Sequence, residues 1–94
     1  MIAQMLVRVS GRVQGVGFRS LVSRSALKHN IKGYVRNLAD GRVEICAQGT
    51  TKEIQEFFAD IRKNPGRASI ERFDEQKTEF GKLYSSFEVH TESD

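Results

Sequence analysis

Ile31-Lys32-Gly33-Tyr34-Val35-Arg36-Asn37-Leu38-Ala39-Asp40-Gly41-Arg42-Val43-Glu44-Ile45-Cys46-Ala47 is the stretch on which the architecture turns. Ile31, Gly33 and Val35 fall on one face of an extended segment, and Lys32, Tyr34 and Arg36 on the other. Asp40-Gly41 is a hairpin signal, because both residue types tolerate positive φ. Val43, Ile45 and Ala47 then alternate with Arg42, Glu44 and Cys46, which predicts a return strand closed by Gly49. The middle of the chain is therefore a pair of antiparallel strands, and its flanks decide the fold.

On the N-terminal side, Phe18, Val22, Ala26 and His29 mark one face of a helix over residues 18–29, and Asn30 ends it. Before the helix comes a loop with three glycines between Gly11 and Gly17. Before the loop, Met5, Val7 and Val9 alternate with Leu6, Arg8 and Ser10, the pattern of a strand. On the C-terminal side, Thr50 with Glu53 has the form of a capping box. Ile54, Phe57, Phe58 and Ile61 follow at helical spacing. Arg62 and Lys63 suit the negative end of the helix dipole, and Asn64-Pro65-Gly66 stops the helix.

A strand is expected over residues 68–76. The odd spacing of Ile70 and Phe73 breaks strict alternation and predicts a bulge or bend. Thr78 to Ser85 reads as loop, and Phe87 with Val89 as a short last strand. The order is β-α-β-β-α-β with the last strand in two pieces. It predicts an α+β, ferredoxin-like sandwich: an antiparallel sheet of four to five strands with both helices on one face.

A chain of 94 residues makes one domain, expected to span residues 1–94. Its 38% hydrophobic and 29% charged content is that of a globular rather than a disordered chain. The net charge of +3 suits a small anionic substrate or weak nucleic-acid contact without choosing between them. Cys46 is the lone cysteine, so an internal disulfide is excluded and a reducing compartment fits. Arg8 interrupts the apolar N-terminal residues, which leaves no signal-peptide core, and no stretch is apolar enough to span a bilayer. A cytoplasmic location is the default expectation.

Chemistry points first to Gly11-Arg12-Val13-Gln14-Gly15-Val16-Gly17-Phe18-Arg19. A strand-to-helix junction presents main-chain N–H groups at the positive end of the helix dipole, which suits an anion. Arg19 adds a guanidinium fork that matches two phosphate oxygens. The same residues also fit a tight connection in which the glycines serve the turn and Arg19 is solvated. A Walker loop is excluded, because Phe18-Arg19 follow Gly17 in place of Lys-Ser/Thr. A dinucleotide fingerprint is excluded by Ser20 where a third glycine is required.

Together, the runs Gly11 to Arg19 and Gly33 to Glu44 resemble the acylphosphatase family. The resemblance covers nearly the whole chain, including the element order, the helix spacing, and Ala68 and Ile70 entering the fourth strand. It implies a hydrolase that cleaves the carboxyl-phosphate anhydride of acyl phosphates to carboxylate and inorganic phosphate. It implies no cofactor and no metal. Arg19 stands at the family's phosphate-binding arginine and Asn37 at its water-orienting asparagine. The backbone amides of Gly15, Val16, Gly17, Phe18 and Arg19 fall where the family builds its phosphate cradle. The partner implied is a small-molecule acyl phosphate, with no nucleic acid and no membrane, and a monomer is the simple expectation. Tyr34 stands where many members carry Trp, and Asn64-Pro65-Gly66 departs from the usual Gly-Pro order; neither touches the two working positions.

So small a set of residues is chemically sufficient. An acyl phosphate leaves as a carboxylate, whose low pKa removes the need for a general acid. What remains is to hold the phosphoryl group, stabilise its equatorial oxygens and aim a water in line. Read without the resemblance, Asn37 fits better as a turn residue before Asp40-Gly41, and Arg19 as a solvated helix residue.

Rival sites carry less. Cys46 approaches the pattern of a cysteine phosphatase loop, but Lys52 stands where that loop needs arginine, and Cys46 lies in a predicted strand. His29 and His90 lack ligand spacing with other His, Cys or carboxylates, and Asp40 reads as a turn former. The alternative from another class is a non-catalytic phosphate- or RNA-binding module of the same fold. Lys32-Gly33-Tyr34-Val35 faintly matches an RNA-recognition sheet motif, but Arg36-Asn37-Leu38 lacks its alternating aromatics. Acylphosphatase-like modules also occur within larger carbamoyl-transfer proteins.

Overall fold

The structure is a computed structural model that describes residues 1–76, 78 and 80–91. Lys77 and Glu79, beside and within the expected 78–85 loop, fall outside the described residues, as do residues 92–94. The elements in chain order are β1 (Ala3–Arg12), α1 (Phe18–Lys28), β2 (Lys32–Asn37), β3 (Val43–Gly49), α2 (Thr51–Lys63), β4 (Ser69–Gln76) and β5 (Phe87–Val89). They form one sheet in the order β4-β1-β3-β2-β5.

Alternation sends Val7 and Val9 of β1, Val35 of β2, and Val43, Ile45 and Ala47 of β3 to one face. Both helices pack there, α1 through Phe18, Val22 and Ala26, and α2 through Ile54, Phe57, Phe58 and Ile61. Each large side chain so buried contributes about 1.5–3 kcal/mol against the entropy of ordering the chain. The ferredoxin-like α+β sandwich expected from the element order is the observed fold.

Three pairings are antiparallel, β1 with β3, β1 with β4 and β2 with β3. The expected bulge lies in β4. Ser10 pairs with Arg72 and Gly11 with Ile70, so Glu71 is the extra residue, between the two apolar positions whose spacing announced it.

The end of the chain departs from expectation. β4 and β5 are not two pieces of one strand: β4 pairs with β1 on one edge, and β5 pairs parallel to β2 on the other. The sheet is therefore mixed. On the face away from the helices, Gln48 Nε2 donates to the Lys82 carbonyl (2.6 Å) and Gln48 Oε1 accepts from the Tyr84 amide (2.9 Å). Lys82 and Tyr84 lie against the Gln48 end of β3, Arg8, Arg36 and Tyr34 enclose Glu44, and every residue of that strand is buried.

Candidate active site

The turn from β1 into α1 is shaped by Gly15 (φ 75°) and Gly17 (φ 77°). A Cβ on either would meet no atom within 4 Å, so the left-handed backbone rather than crowding requires glycine there. Gly17 is the N-cap of α1 and supplies no side-chain cap. The main-chain bonding of this helix starts with Leu21 N donating to Gly17 O (3.2 Å). Among the described residues, none of the amides of residues 15–19 donates to a main-chain carbonyl. These amides sit at the positive end of the α1 dipole.

A pocket of about 140 Å³ opens over this helix end, lined by Val13, Gly15, Gly17, Phe18, Arg19, Ser20 and Asn37. The sequence-derived Arg19 and Asn37 therefore meet, although they come from α1 and from the last residue of β2. Asn37 is only 6% exposed and shares the helix-facing side of β2 with Val35. Its Oδ1 lies buried at the pocket wall. Gly15, Gly17, Phe18 and Arg19 of the expected cradle line the pocket, whereas the Val16 side chain packs partly buried against the core. The lining holds no Asp, Glu, His, Lys or Cys side chain; Arg19 supplies its one formal charge.

Two supports of the site had no signal in the sequence. The Gln14 side-chain amide donates to the Leu38 carbonyl (2.8 Å) and to the Arg42 carbonyl (2.9 Å), joining the glycine loop to the β2–β3 turn. Arg19 Nη1 donates to the His90 carbonyl (2.7 Å), just past β5. The His90 ring stacks on Tyr34, with ring centres 4.9 Å apart. Tyr34 in turn donates its hydroxyl proton to Glu44 Oε1 (2.9 Å). A signal for the Arg19 contact would have required knowing that residue 90 returns to β2.

Glu44 is 1% exposed and lies on the sheet face away from the pocket. It accepts from Arg36 Nε at Oε1 (2.8 Å) and from Arg8 Nε at Oε2 (3.0 Å). Burial opposes its charge, yet the bonds from Tyr34, Arg8 and Arg36 hold the carboxyl below its ordinary range. Burial, with Glu44 adjacent, pushes the Tyr34 phenol well above its usual value. This cluster ties three strands together behind the site.

The remaining candidates are structural. Burial and the nearby Glu44 carboxylate push the Cys46 thiol up to about 11, so it is not a thiolate at neutral pH. His29 Nε2 lies 3.3 Å from Asp60 Oδ2, which also accepts from Ser25 Oγ (2.7 Å), a clasp between the helices. Asp40 caps its own turn, accepting from the Arg42 amide (3.0 Å) and from Arg42 Nε (2.9 Å). Among the described residues, no three His, Cys, Asp or Glu side chains are grouped to hold a metal ion.

Fold and pocket define an α+β protein with a helix N-terminus opened by glycines, an arginine and a buried asparagine on one small cavity. A family model described as Acylphosphatase matches residues 5–89, and the chain belongs to the acylphosphatase family. It is 43% identical over 83 residues to an acylphosphatase of Archaeoglobus fulgidus, covering 88% of this chain and 92% of that protein. Among solved structures, the acylphosphatase of Bacillus subtilis superposes with a TM-score of 0.84 at 33% identity, covering 96% of this chain and 99% of that one. Full-length HypF in a phosphate- and nucleotide-bound form superposes with a TM-score of 0.89 at 32% identity. That match covers 98% of this chain but 12% of HypF.

Proposed function

We propose that this acyl phosphate hydrolase works with two side chains, Arg19 and Asn37, and with the backbone amides of Gly15, Val16, Gly17, Phe18 and Arg19. The observation that carries the reading is the shared pocket, which brings Arg19, the uncapped helix end and Asn37 onto one small cavity. The phosphoryl group sits at the N-terminus of α1, its equatorial oxygens held by the loop amides and by the Arg19 guanidinium. The Asn37 amide, which can both accept and donate, orients a water opposite the leaving carboxylate. Water attacks phosphorus, the bond from phosphorus to the acyl oxygen breaks, and carboxylate and inorganic phosphate leave. The pocket lining offers no protein base, so the water proton passes to an oxygen of the substrate's own phosphate.

Around this core we place the finer expectations. The whole chain, residues 1–94, acts as one domain and a monomer on a small molecule, without metal or nucleic acid. The lone buried thiol of Cys46 suits the reducing cytoplasm. Among the described residues, no helix is long and apolar enough to cross a membrane. The likeness to a segment of HypF supports a second reading, in which this fold serves as a phosphate-binding part of a larger protein.

Hydrolysis of benzoyl phosphate in excess EDTA, beside Asn37→Ala, tests both. The wild type is expected to turn over with metal removed, and Asn37→Ala to lose about 10²-fold or more in kcat, with inhibition by inorganic phosphate largely kept. Full turnover by Asn37→Ala would refute the water-orienting role. An inactive but folded wild type would favour the module reading.

A further inference from the structure

We propose that Gln14 is a positioning residue for hydrolysis, fixing the phosphate loop against Asn37 through its two bonds to the β2–β3 turn. The inference rests on the reading of Arg19 and Asn37 given above. Both partners of the Gln14 amide are carbonyl oxygens, which only accept, so the nitrogen must face them and both of its protons are used.

The turn does not need Gln14 for its own bonding. Leu38 N already donates to Arg42 O (2.8 Å) and Gly41 N to Leu38 O (3.2 Å). The two carbonyls are satisfied without the glutamine, so its bonds serve the loop. That loop carries left-handed glycines at positions 15 and 17 and is soft by composition. Val13, buried in the core, anchors it on one side of Gln14, and α1 anchors it on the other.

One of the accepting carbonyls belongs to Leu38, the residue after Asn37. The amides that would hold phosphate and the side chain that would hold water lie on separate elements, and Gln14 is a direct bridge between them. In-line attack depends on the relative placement of those two groups, where a displacement of about 1 Å costs on the order of 10²-fold.

Gln14→Leu removes both donors and keeps the apolar stem, leaving neither turn carbonyl unpaired, so the variant should fold. Its kcat for benzoyl phosphate is expected to fall about 10- to 100-fold, while the inhibition constant of inorganic phosphate stays within about threefold. A merely structural role would instead move both quantities together. Gln14→Met, with an unbranched stem, gives the same test should the leucine variant not fold. Unchanged kcat in either folded variant overturns the proposal, as does phosphate affinity lost in step with turnover. Asn37→Ala measured beside them separates the two readings. If it is impaired and Gln14→Leu is not, this inference alone fails. If Asn37→Ala is fully active, both fail.

Discussion

The two helices begin in opposite ways. α2 closes its own N-terminus: Thr50 Oγ1 accepts from the Glu53 amide (3.1 Å), and Glu53 Oε1 accepts from the Thr50 amide (2.9 Å). Glu53 also places a negative charge in the first turn, where the dipole favours it. α1 has a glycine for its N-cap, no side-chain cap and no acidic residue in its first turn. It carries Arg19 there instead, a cation at the positive end of a helix. With glycine in place of a capping side chain the cost is only a few tenths of a kcal/mol, and the cation adds to it. Such an end makes sense when the missing negative charge arrives from outside. One helix closes its N-terminus with its own side chains, and the other leaves it open to the anion proposed above.

The hardest test of that contrast is Arg19→Lys. The positive charge is retained, but the planar fork is lost, and a flexible ammonium does not reproduce its fixed bidentate geometry. The expected loss in kcat/KM is about 10²- to 10³-fold, with weaker inhibition by inorganic phosphate. The melting temperature should hardly move, since among the described residues the Arg19 side chain makes one hydrogen bond, to the His90 carbonyl. Activity close to wild type would mean that charge alone suffices, and the α1 end would lose its distinction as a shaped site.

How much of this could be read beforehand follows the same division. The capping box and apolar face of α2, the hairpin at Asp40-Gly41 and the bulge in β4 are local patterns, and they were legible. The place of β5 was not. It is set by Gln48 holding the main chain of Lys82 and Tyr84 across the sheet, a long-range contact with no periodic signature. At the site, Arg19 and Asn37 stood out through family resemblance, since their residue types alone fit a solvated helix and a turn. Gln14 carries no such signal, because its partners are two main-chain carbonyls, which no side-chain pattern reveals.

The α2 end should give the reverse outcome. Thr50→Ala removes the hydroxyl that accepts from the Glu53 amide, and is expected to cost about 1 kcal/mol of stability. In a domain of this size that lowers the melting temperature by about 4–8 °C. Turnover of benzoyl phosphate at a temperature well below the melt should match wild type, because Thr50 is not among the residues lining the α1 pocket. A loss of turnover in a folded Thr50→Ala would show that the two helix ends are coupled and would break the division of labour.

The finest test uses pH at the same end. The bond from the Thr50 amide holds the Glu53 carboxyl below its ordinary value of 4.5, with the Thr50 hydroxyl, Asn30 and Lys32 helping against slight desolvation. A carboxyl with a depressed folded pKa contributes stability above its unfolded pKa and loses it as pH falls through the folded value. Glu53→Gln cannot ionise. The gap in melting temperature between wild type and Glu53→Gln should therefore be widest near neutral pH and narrow as the pH falls below about 4.5. Because Glu53 lies at the surface, the gap should also shrink in high salt. A gap that stays constant through acid would assign the effect to the geometry of the capping bond rather than to charge at the dipole. α2 would then be closed by hydrogen bonding alone, and the electrostatic half of the contrast with α1 would rest on Arg19.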